Sequence, residues 1–258
     1  MKQLPTQCDP ERWQEAQRWE LQHWLKENSF LVQTPLRRVK NLIKRLIGRS
    51  TPELGVGDDS NHWWRSQFGN YEILPNHFKR VVELGCGPYT NVRLIREGRQ
   101  MDEIWCSDPL AEHYVTFRGR WLAEAHRCGI IGLDTHPIEA AVFDTNSFDL
   151  VIVINVLDHV RDAIACLAEM CRITAPGGYL VFGQELSNEE DLEKLAIALA
   201  PHGMTEDIGH PIRLHHTHLD DALKNTFEPL LYKILPREAG RGPENHYGTY
   251  IYIGKKRA

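Results

Sequence analysis

From residue 79 onward, short apolar runs alternate with stretches whose apolar positions recur every three or four residues. Residues 80–84 (RVVEL), 103–106 (EIWC), 129–133 (GIIGL), 148–155 (FDLVIVIN) and 179–183 (YLVFG) read as strands. Helices are predicted over 91–97, 115–128 and 160–173. Strands alternating with helices predict a doubly wound, parallel α/β sheet. The 148–155 run is almost unbroken, as a central strand buried on both faces requires. No long helix separates 229–235 from 247–254, so these two strands are expected to pair antiparallel.

Residues 1–75 follow another pattern, and hold five of the seven tryptophans and a basic run. Residues 10–26 place Trp13, Ala16, Trp19, Leu21 and Trp24 near helical spacing. Residues 35–48 form an amphipathic helix in prospect. Leu36, Val39, Leu42, Ile43, Leu46 and Ile47 share one face, Arg37, Arg38, Lys40, Lys44 and Arg45 the other, and Gly48 suits the C-cap. Residues 51–60 (TPELGVGDDS) read as a loop. The expected organisation is a helical N-terminal extension or lid over 1–75 and an α/β domain over 76–258.

The 258 residues are 42% hydrophobic and 25% charged, which are globular proportions. A net charge of −5 argues against nucleic acid as a partner. The N-terminus lacks the apolar run of a signal peptide, and the longest apolar stretch is too short to span a bilayer. Six cysteines without a CxxC pair point to reduced thiols in the cytoplasm and no structural zinc.

The chemistry gathers where the first strand runs into Glu83-Leu84-Gly85-Cys86-Gly87-Pro88-Tyr89-Thr90-Asn91. Glycines there allow a tight turn and let a ligand lie against bare backbone, and the next helix presents its first N–H groups. Asp108 ends the second strand, at the distance where a carboxylate accepts hydrogen bonds from both ribose hydroxyls of an adenosyl ligand. A nicotinamide-cofactor dehydrogenase shares a GxG turn and an acid. Thr90 at the third fingerprint position and the Pro176-Gly177-Gly178 turn before the fifth strand argue against it.

Four segments in order carry a family resemblance: ELGCGPYTN (83–91), Asp108, DTNSFDLVIVINVLDHVRDA (144–163) and APGGYLVFG (175–183). Over about residues 75–255 the chain resembles class I S-adenosylmethionine-dependent methyltransferases, nearest to those acting on small molecules and sugars. The resemblance implies a Rossmann-like seven-stranded sheet with an antiparallel last strand, and S-adenosyl-L-methionine as cofactor. It further implies that Glu83, Gly85, Cys86 and Gly87 shape the pocket for the methionine half. Asp108, with Pro109 beside it, would hold the ribose. Residues 136–139 would flank the adenine, with Ile138 and Glu139 substituting for the acid that many members carry at Pro137. Asn155 would lie near the methionine portion. Tyr89 departs from the family's third glycine.

Asp158 and His159 follow the fourth strand, on the edge where open α/β sheets bind ligands. His159 is the expected general base with Asp158 beside it; the competing reading makes His159 a packing residue at a helix start and Asp158 its cap. His210, His215, His216 and His218 form a second cluster, which Asp158 could join around a metal. Solvated loop histidines are commoner, so no metal is assigned. Arg213 is a candidate contact for an anionic acceptor. Trp63, Trp64, Phe68 and Tyr71 are either a lid or core. The basic helix over 36–49 either touches an anionic membrane surface or covers the sheet. The function expected is O-methylation of a small-molecule or sugar/glycan acceptor. Amino-methylation of nucleic acid is disfavoured, because the fourth strand ends in NVLDH. The alternative is a non-catalytic, cofactor-binding regulatory protein of the same fold.

Overall fold

A computed structural model describes residues 4–33, 58–117, 119–199, 207–240 and 246–258. The basic helix expected over 35–48, its membrane reading, and residues 51–57 of the expected loop lie outside the described residues. Helix α1 (Pro10–Gln33) starts where Pro10 has no N–H to lose and the Asp9 carboxylate accepts from the Arg12 amide at 2.8 Å. Helix α2 (Asp58–Gln67) replaces the last three residues of that loop.

The sheet then follows in chain order. β1 (His77–Leu84), α3 (Val92–Ile95), β2 (Gln100–Ser107), α4 (Ala111–Tyr114), α5 (Trp121–Arg127) and β3 (Gly132–Asp134) form one half. β4 (Phe148–Ile154), α6 (Ala163–Ile173), β5 (Thr174–Leu186), α7 (Glu189–Leu199), α8 (His216–Thr226), β6 (Phe227–Pro236) and β7 (Gly248–Lys256) complete it. The seven strands lie in the order β3-β2-β1-β4-β5-β7-β6. The first five are parallel. β7 runs antiparallel to both β5 and β6, so β6 points the same way as the first five. The Rossmann-like sheet with an antiparallel last strand is therefore the observed fold.

The alternation within each strand builds two cores. Val81 and Ile152 face one side, with Trp64 of α2 and Phe68 just after it; Leu21 and Trp24 of α1 pack against the same cluster. Val82 and Val151 face the other, with Leu167 of α6 and Leu219 of α8. Trp64 stands against Gly183 of β5: a Cβ there would meet its ring at 2.6 Å.

Three expectations are corrected. The helix expected over 115–128 narrows to α5, with α4 ending before it, because Arg120 is extended at φ −101°, ψ 143°. Its guanidinium lies 4.7 Å over the Tyr89 ring, a tertiary contact that overrides local propensity. α7 and α8 fill a region where no helix is expected. Strand β3 is also shorter than its apolar run.

Because the Trp64 ring leaves no room for a methyl group, Gly183→Ala is expected to destabilise the fold by about 1–3 kcal/mol. The readout is a lower urea midpoint at unchanged slope.

Candidate active site

β1 ends in a turn that no other residue types would build. Gly85 has φ +65°, and a Cβ on it would sit 2.3 Å from a Val156 methyl. The Gly85 and Cys86 amides both donate to the Ser107 carbonyl, at 2.7 and 3.1 Å, which ties the turn to β2. Glu83 braces the turn from β1. Its carboxylate accepts from the Asn91 amide and side chain at 2.8 and 3.0 Å, the Val92 amide at 3.1 Å and the Thr90 hydroxyl. Burial pushes the Glu83 carboxyl above the usual range, against these hydrogen bonds. The first amides of α3, expected to face a ligand, are thus taken by the protein's own carboxylate. Glu83 does not line the cavity. Contact with the Cys106 thiol and burial push the Cys86 thiol well up, so it is no nucleophile.

Asp108, just past β2, reaches across the turn. Its Oδ2 accepts from the Gly87 amide at 3.0 Å and its Oδ1 from the Leu110 amide at 2.8 Å. A carboxylate has about four lone-pair positions, so about two stay available to a ligand. Burial, then the Glu20 carboxylate, raise its pKa to about 7.

These groups wall a cavity of about 360 Å³ at the carboxyl ends of β1, β2 and β4. Of the residues predicted from sequence, Gly85, Cys86, Gly87, Asp108, Pro109, Ile138, Glu139, Asn155 and His159 line it. Asn155 is left-handed at φ 58°, and its Oδ1 accepts from the Glu185 amide at 3.3 Å. The Glu139 carboxylate receives the Arg161 and Asp162 amides at 2.7 and 2.8 Å, joining the 137–140 loop to the segment after β4. Tyr89 also lines the cavity, edge-on to Trp24 at 5.3 Å.

α1 closes the remaining side with Trp13, Gln17, Glu20 and Trp24. These four recur at helical spacing on one face. Two polar side chains on an otherwise aromatic stripe were the signal for Gln17 and Glu20, which sequence reasoning missed. Glu20 accepts from Tyr114 Oη at 3.2 Å and Trp24 Nε1 at 3.4 Å. Trp64, Phe68 and Tyr71 are core instead of lid, with Trp64 touching the cavity.

Beyond β4, His159 shares the cavity wall with His210; their ring centroids are 4.5 Å apart. Asp158 is buried beside them, with Oδ1 3.9 Å from His159 Nε2. Burial pushes the Asp158 carboxyl up, but His159, His210, a hydrogen bond from the Gln184 side chain and Arg213 outweigh it and hold it below the usual range. At that distance Asp158 stands beside His159, as expected, without a hydrogen bond to it. The oriented imidazole is His210, whose Nδ1 lies 2.7 Å from Asp207 Oδ2. Arg213 also binds Asp207, at 3.1 Å, which occupies the side chain expected to meet an anionic acceptor. The other histidines separate from the site. His215 caps α8 in a reciprocal pair with His218, and His215 and His216 stack near Tyr247.

Residues 82–182 match a family described as "Methyltransferase domain". An uncharacterized methyltransferase of Schizosaccharomyces pombe is 28% identical over 126 residues, 46% of this chain and 45% of that protein. The match thus spans under half the length of that curated relative. The N-methyltransferase NodS from Bradyrhizobium japonicum, solved with S-adenosyl-l-homocysteine, superposes with a TM-score of 0.54 at 15% identity, covering 81% of this chain and 94% of its own. The [4+2]-cyclase SpnF superposes with a TM-score of 0.61 at 12% identity, covering 100% of both chains. At such identities these likenesses show the fold alone. Strand order, glycine turn and the match over residues 82–182 together support a place for this chain beside the class I S-adenosylmethionine-dependent methyltransferases.

Proposed function

We propose that the protein transfers the methyl group of S-adenosylmethionine to a hydroxyl of a small molecule or glycan. One observation carries the reading: a buried carboxylate, Asp108, bonded to a bare glycine turn in the wall of a ligand-sized cavity. In this reading Asp108 accepts the two ribose hydroxyls. Gly85, Cys86, Gly87 and Asn155 receive the methionine half, and Ile138 and Glu139 flank the adenine with Pro109. Asp158 and His159 act on the O–H of the acceptor, and α1 serves as the lid.

The reaction is an in-line displacement. The acceptor oxygen bonds to the methyl carbon as the S–C bond breaks, the sulfonium leaves as the neutral thioether S-adenosylhomocysteine, and the acceptor loses its proton. Most of what the protein supplies is placement, which contributes up to about 7–11 kcal/mol to lowering such barriers. Exclusion of water under α1 strengthens every charge interaction in the cavity. The second reading, a cofactor-binding protein without methyl transfer, draws support from SpnF: a [4+2]-cyclase has this fold.

Calorimetric titration with S-adenosylmethionine, followed by mass spectrometry of a hydroxyl and glycan panel, tests the proposal. Expected are saturable binding and a product heavier by one CH₂. Absence of binding sinks both readings, and binding without product across the panel favours the second.

The ionised form of Asp108 accepts the ribose hydroxyls, so cofactor affinity is expected to fall as pH drops through about 7. The fall approaches tenfold per unit. Glu20→Gln removes a like charge that raises Asp108, so it should move that midpoint to lower pH in the same titration.

Asp108 binds its proton more tightly folded than unfolded, where a carboxyl titrates near about 4. Its contribution to stability is therefore lost as pH rises from about 4 to about 7. Asp108→Asn cannot ionise. Its Tm without ligand should gain on the wild type across that window, while cofactor affinity drops at least about tenfold as one charge-assisted hydrogen bond of about 1.5–3 kcal/mol is lost.

A further inference from the structure

We propose that Asp158, His159 and His210 bind one divalent first-row transition-metal ion at the cavity wall. Each offers a ligand atom, and the three atoms lie within 4.8 Å of one another. Asp158 Oδ1 and His159 Nε2 are 3.9 Å apart. Ligand atoms around a tetrahedral ion with bonds of about 2.0–2.2 Å stand roughly 3.3–3.6 Å apart, so the trio must close by a fraction of an ångström to about 1.5 Å, which rotation of the two rings can supply.

The polar groups around the trio fit this assignment better than they fit a free base. Asp158 is 6% exposed, yet its Oδ1 is buried without a hydrogen-bond partner. Native structures rarely leave a buried carboxylate oxygen so, because its desolvation goes uncompensated. An ion compensates it. His210 turns Nδ1 to Asp207 Oδ2 at 2.7 Å, whereas His159 Nδ1 is buried without a hydrogen-bond partner, 3.7 Å from Glu20 Oε2. His210 thus keeps Nε2 to ligate, and His159 offers the Nε2 that stands 3.9 Å from Asp158 Oδ1. Metal-binding histidines are typically oriented as His210 is, by a carboxylate on the other ring nitrogen.

The Asp207 carboxylate is itself anchored. Arg213 binds its Oδ2 at 3.1 Å, the Gly209 amide binds its Oδ1 at 3.1 Å, and Arg12 of α1 donates to the Asp207 and Ile208 carbonyls at 2.5 and 2.8 Å. The loop that presents His210 is therefore held from two directions. Two imidazoles and one carboxylate suit manganese, iron, cobalt, nickel or zinc and leave coordination positions for other ligands; magnesium and calcium prefer all-oxygen sites. Holding the acceptor oxygen would be the ion's use, and that use rests on the methyl-transfer reading; binding of the ion does not. An ion-bound hydroxyl would release its proton to solvent and form the O–CH₃ bond as the S–CH₃ bond breaks.

The test is titration of the metal-depleted full chain with Co²⁺, followed by visible absorption and calorimetry in the absence of cofactor. One Co²⁺ per chain with a visible band is expected. His210→Gln and Asp158→Asn should remove the band, and Asp207→Asn, which keeps all three ligands, should weaken binding about 10–100-fold. His215→Gln, away from the trio, should leave binding unchanged. Circular dichroism establishes that each variant folds, and the Asp207→Asn result stands if a ligand variant does not. The proposal is overturned if no Co²⁺ binds, if binding survives loss of Asp158 or His210, if Asp207→Asn leaves it unchanged, or if His215→Gln removes it. A separate titration with S-adenosylmethionine shows whether the methyl-transfer reading stands or falls.

Discussion

The site depends on the buried Glu83 carboxylate, on which hydrogen bonds from Thr90, Asn91 and Val92 converge. A carboxylate this deep is costly unless it is fully bonded. The bonds it collects come from the segment that follows the glycine turn, so satisfying the charge also fixes where β1 stops and α3 begins. Gly85 can then press against Val156, past β4, because nothing projects from its α-carbon. The shape of the cavity floor is a by-product of solvating one acid with the protein's own amides.

Around that floor the charges are arranged in opposition. Asp108 and Glu20 are both acids, one at the end of β2 and one on α1, and their proximity helps keep Asp108 from ionising at ordinary carboxyl pH. Tyr114 and Trp24 hold Glu20 by hydrogen bonds, so the repulsion is built in. The Asp108 carboxyl is near balance between its two protonation states around neutral pH, the condition in which a hydrogen-bonding ligand most readily tips it. Glu20 faces His159 as well, so one side chain of α1 is coupled to both ends of the cavity.

The loop after β4 and the segment 207–213 meet directly, the Ile212 amide donating to the Asp158 carbonyl at 3.3 Å, and both are tied to the strand-like segment before α1. The Ala163 amide bonds the Thr6 carbonyl, and the Arg213 amide bonds the Pro5 carbonyl, at 3.0 and 2.9 Å. Those contacts join residues more than 150 positions apart. They place His210 beside His159, where neither local sequence contains a reason for the other.

What the sequence by itself determined is the part governed by periodicity and turn chemistry. Alternating runs and helix-length spacers specified the doubly wound sheet and its antiparallel end, and the GCG turn with Asp108 beyond it marked the cavity floor. Those signals are local, because each arises from side chains that face one known direction along one element. Tertiary structure alone decided three matters: that Glu83 braces the turn through Thr90, Asn91 and Val92, that Arg120 is extended to reach Tyr89 where periodicity predicts a helix, and that His210, held by Asp207, joins His159 at the cavity wall. Each is a contact between distant segments, and hydrophobic spacing carries no record of which polar side chain a folded neighbour will bring within hydrogen-bonding distance.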